Sequence, residues 1–588
     1  MNKKKQTLKE IFEGAFIDHQ KRDYKSAQNS CYKILSIDPN HFDSLFLLAT
    51  ISAVHSDFNK AKEFLYKSLE VQPKNTSALN NLATTYKELG MLNEAVDFYK
   101  KALDINPNHT NANYNLGLVF HSLGDLKQAK SYLKKTGEIQ NNYALAFLGL
   151  GNVHVELKEF QEALSCYQRA IKINPKIVSA HNNLGLLYRD LQDLQSSIKC
   201  YQKAIELEPS YVNSHHNLGQ AYRETGQFEK AIKSHKETIK YEPNNLTNYF
   251  YLSELEKNAL DSNLKKKIEK ILLDDKATTK NLAYGNYLLA KYEKKSKNYE
   301  KELNYLVKGH SNFYKTRQKK FDLYNKYCFD DVHQITNGAK LEPSNKKSEI
   351  DTKPIFIFGV PRCGSTLVER IIGSGNFFIP IGEETGVIGR FVVDKVKAKQ
   401  SLNLGDVNSV RNELFSIYKE RGLISKKYDY TFTDKSLDNF LYLELIRKIY
   451  PNAKIINCKR DVLSSIVSIF QNNLTELAWT HSLENIFKYF DNYFKIIKKY
   501  NDTGSNFIYE LQLEKLINNP EEESKKLMKF CELPWDKKCL EFYKRKDLIS
   551  KTASNIQVRK AIFKHSSNKY LPYKKYIDKY DKKYSWYI

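Results

Sequence analysis

No run of apolar residues approaches the roughly 18 needed to cross a bilayer. The N-terminus, MNKKKQTLKEIFEGAF, is charged and then amphipathic. It lacks the continuous apolar core of a secretion signal. Cysteine is sparse, with eight residues in 588, at Cys31, Cys166, Cys200, Cys328, Cys363, Cys458, Cys531 and Cys539. None forms a CxxC pair and no histidine lies at zinc-ligand spacing, so neither a disulfide framework nor a metal site is expected. A reducing cytoplasm is the default setting. Arginine is scarce as well. The formal net charge is +25, yet only 14 of the 93 basic residues are Arg. Direct readers of bases and phosphates lean on guanidinium forks, so this lysine excess argues against a nucleic-acid partner. What remains is a chain long enough for about three to five domains. Its 41% apolar and 13% aromatic content excludes a charged disordered polymer.

The first half is periodic. Pro39, Pro73, Pro107, Pro175, Pro209 and Pro243 lie on one 34-residue grid, with Asn141 in the single gap. Ala27, Ala61, Ala95, Ala129, Ala163, Ser197 and Ala231 run in the same phase. Ala83, Gly117, Gly151, Gly185 and Gly219 form a third column. Gly90, Gly124 and Gly226 form a fourth, broken by Lys158 and Gln192. Small residues suit the close approach of two antiparallel helices, glycine the end of the first helix, and proline the turn into the next unit. One such unit cannot bury its apolar face alone, so units must stack.

On these columns, and most closely in unit 75–108 (NTSALNNLATTYKELGMLNEAVDFYKKALDINPN), the chain resembles the tetratricopeptide repeat family. About seven units cover 6–243. The resemblance implies an α-solenoid with a concave surface for a protein or peptide partner. A rigid spacer or a dimerisation platform, giving a homodimer, is the other use of such an array. Asn80, Asn81, Asn182, Asn183 and Asn217 recur on first helices and are expected to be exposed. In this family that face often holds peptide backbone.

From 244 to 350 the grid is lost while helical pattern persists. NLAYGNYLLAKYEKKSKNYEKELNYLVKGHSNFYK reads as another helix pair, and GAKLEPSNKKSEIDTKP as a linker. The expected domains are therefore 1–243, 244–350 and 351–588.

The third begins with PIFIFGVPRCGSTLVERIIGSG. Ile355 to Phe358 reads as a strand buried on both faces. A Gly- and Pro-rich turn and a helix from Ser365 follow. Strand, glycine turn and helix N-terminus aim backbone N–H groups at a phosphate. Gly359-x4-Gly364 has the nucleotide P-loop spacing, but Ser365 stands where the P-loop lysine belongs and Arg362 lies inside the turn. An anionic nucleotide without a γ-phosphate fits best.

The segment resembles the 5′-phosphosulfate loop of sulfotransferases, which implies that Pro361, Arg362, Cys363, Gly364, Ser365 and Thr366 hold the nucleotide. IPIGEETGVIGRF is similar to the corresponding segment of tyrosylprotein sulfotransferases, whose general base maps onto Glu384. AKIINC reads as a second buried strand, ending in Lys459-Arg460-Asp461. It resembles the family's 3′-phosphate element, with Arg460 and Ser468 as the phosphate ligands. Lys435, after a strand at 430–433, matches the lysine that meets the bridging oxygen and leaving group. Tyr509 in FIYEL matches a nucleotide-touching tyrosine. Ser554 and Lys560 match a Ser and a Lys that close over the nucleotide, and Ser554 joins Glu384, Arg362 and Lys435 as a catalytic candidate. Cys363 replaces the family's Ser and Ala561 a Pro. Gly386 stands in place of an Arg, which weakens the case for an acidic-peptide preference.

The resemblance implies an α/β domain with a central parallel sheet. It also implies transfer of a sulfuryl group from 3′-phosphoadenosine 5′-phosphosulfate, without a metal, to an acceptor hydroxyl, first a protein tyrosine presented by the repeats. A glycan, lipid or small-molecule hydroxyl is the alternative acceptor. A non-catalytic repeat scaffold and a P-loop kinase are the alternatives from other classes; Glu384, Lys435 and Arg460 speak against the first, and the missing P-loop lysine against the second.

Overall fold

The computed structural model describes residues 2–256, 258–344, 352–377, 379–399, 402–425, 427, 430–502, 507–545, 552, 556–562, 567–578, 583, 584 and 586. The chain divides into two compact units, Met1–Leu218 and Gly219–Ile588.

The first unit is a stack of helix pairs such as Thr76–Glu88 with Leu92–Ile105 and Val178–Asp190 with Leu194–Leu207. Its grid has a physical cause at each column. The turn between the paired helices needs one left-handed residue, and positive φ occurs at Arg22, Ser56, Gly90, Gly124, Lys158 and Gln192, again 34 apart. Lys158 and Gln192 keep the left-handed geometry despite the strain a side chain adds there. One residue later, Asp23, Asp57, Asp125 and Asp193 each cap the following helix by accepting a backbone N–H. Such caps contribute about 1 kcal/mol each. At Gly185 the helices approach so closely that a Cβ would lie 2.6 Å from the Tyr201 ring.

The asparagines depart from expectation. Asn80 and Asn182 are buried, and Asn81, Asn183 and Asn217 are half-buried. They bond to one another and across repeats: Asn183 donates to Asn152 at 2.9 Å, and Asn217 and Ser214 donate to Asn182 at 3.0 and 3.1 Å. Packing repeats together leaves amide groups between first helices, and the cross-repeat pairs satisfy those at Asn182, Asn183 and Asn217.

In the second unit, helices Leu246–Leu255, Ser262–Leu272, Thr279–Lys295 and Tyr299–Lys315 share one apolar core with the α/β part. His310 Nε2 lies 2.7 Å from the Phe470 carbonyl, and Glu302 accepts from the Tyr573 hydroxyl at 2.6 Å. The expected linker contains a short strand, β1 (Lys340–Glu342), followed by β2 (Lys353–Phe358), β3 (Asn403–Asp406), β4 (Thr431–Lys435), β5 (Lys454–Lys459) and β6 (Ile508–Gln512). β1 pairs with β3. Among the described residues, the main sheet is parallel with order β4-β2-β5-β6. Ile355 to Phe358 are buried on both faces, as the apolar run requires. The chain crosses β2 between β4 and β5, so the carboxyl ends of these three strands flank a topological switch point, where open α/β sheets bind ligands. No helix among the described residues is long and apolar enough to cross a membrane.

Candidate active site

Three strand ends converge. Gly359 follows β2 at φ 150°, and a Cβ there would run into the Cys458 carbonyl of β5, so only glycine lets the two strand ends approach. The turn then takes Arg362 through φ 71°, and Gly364 at φ 94° caps the helix Ser365–Gly373. The N-terminal N–H groups of that helix therefore open onto the turn.

Glu384 is positioned by β4. The segment 380–384 runs along that strand: Thr433 N donates to the Pro380 carbonyl at 3.0 Å, Lys435 N to Gly382 at 2.9 Å, and Glu384 N to the Lys435 carbonyl at 2.6 Å. Gly382 lies so close to β4 that a Cβ would collide with the Thr433 carbonyl. Glu384 itself is held at φ 51°. Two sequence-predicted site residues, Arg362 and Glu384, thus occupy the left-handed region that side chains avoid, a pattern that clusters at functional sites.

Lys435 ends β4 with no exposed surface. Its Nζ donates to Glu384 Oε1 at 2.9 Å and to Thr366 Oγ1 at 3.3 Å, and lies 3.6 Å from Glu383 Oε1. Burial works to neutralise the ammonium, but Glu384, Glu383 and Glu369 outweigh it and hold Lys435 above the usual lysine range. Glu369, on the helix after the turn, is fully buried. Its Oε1 accepts from Thr433 Oγ1 at 2.7 Å, while its Oε2 has no hydrogen-bond partner. Burial pushes this carboxyl up to about 8, with Lys435 opposing and Glu383 adding to the rise. An acid whose folded value is raised loses stability as pH climbs from the usual carboxylate range towards that value, because the unfolded chain ionises first. Glu369→Gln is therefore expected to flatten the fall in denaturation midpoint between pH 5 and 8. An unchanged slope in a denaturant titration series would reject this assignment.

Residues 354–537 match a family model described as the sulfotransferase family. This segment is a sulfotransferase-family domain. Tetratricopeptide repeat models match 76–109, 98–131, 151–188, 185–226 and 214–247. A protein of Aquifex aeolicus (strain VF5), named as uncharacterized, is 30% identical over 312 residues, covering 50% of this chain and 40% of that protein. Protein-tyrosine sulfotransferase A of Caenorhabditis elegans is 26% identical over 227 residues, covering 35% of this chain and 56% of its own length. Protein-tyrosine sulfotransferase of Drosophila melanogaster is 24% identical over 231 residues, covering 36% and 42%. Each match spans less than two thirds of the relative.

In the sulfotransferase domain the two elements expected to hold phosphate meet. Arg362 Nε donates to Ser468 Oγ at 3.3 Å, and Arg460 donates to the Arg362 carbonyl at 3.1 Å. Burial, with Arg460 nearby, pulls the Arg362 guanidinium down to about 10. Arg362 also donates to Gln557 at 3.0 Å, which ties the turn to the segment 556–562. Lys560 is exposed in that segment, its N–H donating to the Gln557 carbonyl at 3.2 Å. Ser554 lies outside the described residues. The Tyr509 ring stacks on Phe530, with centroids 4.9 Å apart. Cys363 is buried in the turn, and burial drives its neighbour Cys458 well above the usual thiol range.

A cavity of about 830 Å³ opens over these groups, lined by Pro361, Arg362, Gly364, Ser365, Thr366 and Glu384. Thr552 and Gln557 also line it, as do Asp438, Trp479 and Tyr489. Asp438 is pushed up to about 6 by burial, against a 2.9 Å hydrogen bond from Tyr489. Sequence reasoning missed Glu369, Asp438 and Trp479. A Glu inside an apolar helix, LVERIIG, was the one available signal for the first.

Proposed function

We propose that the protein is a sulfotransferase that moves a sulfuryl group from 3′-phosphoadenosine 5′-phosphosulfate to a hydroxyl, first that of a protein tyrosine presented by the repeat array. The observation that carries this reading is the buried Lys435 ammonium bonded at once to Glu384 and to Thr366 of the loop helix, two residues that line one cavity.

The residues fit such a donor. A helix N-terminus and a buried Arg362 suit the 5′-phosphosulfate. Arg460, Ser468 and Lys560 suit a 3′-phosphate, and an anion there relieves the like-charge strain between Arg362 and Arg460. When bound, the donor supplies the sulfuryl sulfur, whose bond to the bridging oxygen breaks as one to the acceptor oxygen forms, leaving adenosine 3′,5′-bisphosphate. Glu384 takes the acceptor proton, because a phenol is a poor nucleophile until that proton leaves. Lys435 holds a positive charge where the leaving oxygen becomes negative, and Arg362 does so for the sulfuryl oxygens. A reducing cytoplasm keeps the Cys363 and Cys458 thiols beneath the loop intact.

The test is transfer of labelled sulfate from the donor into a lysate of the source cell by the full chain, with and without residues 1–218, the first compact unit. Label on protein, acid-labile and alkali-stable as tyrosine sulfate is, and dependent on the repeats, is expected. Label confined to glycan or lipid would overturn the acceptor, and failure to bind adenosine 3′,5′-bisphosphate would overturn the activity.

A further inference from the structure

Two stretches of chain outside residues 354–537, the part that matches the sulfotransferase family, reach the elements expected to hold a 3′-phosphate. One is the helix pair Thr279–Lys295 and Tyr299–Lys315. The other is the C-terminal turn Ser567–Tyr573 with the helix Lys574–Ile577. They meet at Gln471, the C-cap of the helix Val462–Phe470 that carries Ser468. Gln471 Oε1 accepts from Lys294 Nζ at 2.7 Å, and its Nε2 donates to Glu302 Oε1 and to the Tyr573 hydroxyl, both at 2.8 Å. The Tyr573 hydroxyl donates in turn to Glu302 Oε2 at 2.6 Å, and its ring meets Tyr299 edge-on with centroids 5.0 Å apart. Glu302 and Tyr573 are both buried, so these bonds are shielded from water and strengthened by it.

This network fixes the turn that bears Tyr570, a buried residue, against Arg460. The Arg460 guanidinium carbon lies 5.5 Å from the centre of the Tyr570 ring. Its Nη1 donates to the Arg362 carbonyl at 3.1 Å. The carboxylates beside this strand end are used on backbone N–H groups: Asp461 accepts from Ser464 N at 2.7 Å, and Glu514 from Asp461 N at 3.0 Å. Lys459, one residue before Arg460, pairs with Glu510 at 2.6 Å. Among the described residues, then, Arg460 is partnered by an aromatic face and a carbonyl, and by no carboxylate. A guanidinium so placed keeps donors for an incoming anion, while the ring fixes its plane and excludes water from one side.

We propose that Tyr570 is a positioning residue for the donor: its ring orients Arg460 towards the 3′-phosphate, and Tyr573, Glu302 and Gln471 hold that ring in place. The assignment rests on the sulfotransferase reading of the site. It adds to that reading two stretches of chain, one on each side of the matched domain. Tyr570 acts through its ring, so its hydroxyl is dispensable. Without the ring, Arg460 gains rotamer freedom and hydration, which weakens its grip on a 3′-phosphate. The 5′ side, held by the turn and the helix from Ser365, is left as it was.

The experiment measures, by calorimetry on the full chain, the affinity for adenosine 3′,5′-bisphosphate and for adenosine 5′-monophosphate, which lacks the 3′-phosphate. The parent is expected to prefer the bisphosphate by about a hundredfold, as two charge-assisted hydrogen bonds would give. Tyr570→Leu should lower bisphosphate affinity about tenfold and leave monophosphate affinity within about twofold. Tyr570→Phe keeps the ring and should match the parent with both nucleotides. Tyr573→Phe removes both bonds of that hydroxyl and should reproduce the leucine pattern more weakly, at about threefold. An equal fall for both nucleotides in Tyr570→Leu is a general loss of structure and overturns the positioning role. So does an unchanged bisphosphate affinity, or a phenylalanine variant as weak as the leucine one. A parent chain that does not distinguish the two nucleotides overturns the sulfotransferase reading itself, and the role of Tyr570 with it.

Discussion

Glu384→Ala is expected to lower sulfuryl transfer by about a thousandfold, within the 10²–10⁴ range of a lost general base. The dissociation constant for adenosine 3′,5′-bisphosphate should stay within about threefold of the parent. The two outcomes separate because Glu384 reaches the loop only through Lys435: its carboxylate accepts from Nζ at 2.9 Å, whereas the loop and Arg460 contact one another directly. Its side chain is 39% exposed, so truncation opens no core cavity. The backbone at φ 51° persists because three strand-like hydrogen bonds to β4 fix it. Glu384→Gln is the sharper companion. It keeps the shape and the hydrogen bond from Lys435 but cannot take a proton, so it should be nearly as inactive as the alanine variant. Near-parental transfer in the glutamine variant would remove Glu384 as the base, whatever the alanine variant does.

The repeats and the sheet were legible because both rest on periodicity. Thirty-four-residue columns and short apolar runs survive without knowledge of the partners they pack against. Even so, Lys158 and Gln192 read as breaks in a glycine column, whereas the backbone there is left-handed all the same. Residue type marks only the unstrained solution, and tight helix packing enforces the conformation without it. The asparagines show the opposite limit. Their polarity suggested exposure, yet Asn182, Asn183 and Asn217 are matched by amides across a repeat, and pairing between distant residues leaves no local trace. At the site, Glu384, Lys435, Arg362, Arg460 and Ser468 come together from three strand ends. The Tyr509 ring packs on Phe530, a contact that the strand sequence FIYEL does not announce.

Lys435→Met carries the second large effect, and it acts on stability and chemistry together. The ammonium is fully buried and faces Glu384 at 2.9 Å, Glu383 at 3.6 Å and the electrostatic reach of Glu369. Methionine fills the space but leaves Glu384 without its cation, while Glu383 keeps Arg370 at 3.8 Å. Removing one partner of a buried pair costs about 3–5 kcal/mol, because the remaining charge is uncompensated. Some of that strain is relieved by protonation of Glu369, whose carboxyl burial already pushes up. The denaturation midpoint of the variant should therefore fall steeply as pH rises through neutrality, and recover in acid. Transfer should drop by about 10²–10³, as for loss of one preorganised charge-stabilising donor. Adding Glu369→Gln separates the two roles. The double variant should regain part of the lost stability as pH rises through neutrality, since the buried acid near Lys435 can no longer ionise, while transfer stays low because no cation meets the leaving oxygen. If Glu369→Gln instead restores transfer along with stability, Lys435 is a structural counter-ion, and the leaving group must be stabilised by Arg362 and the helix N-terminus alone.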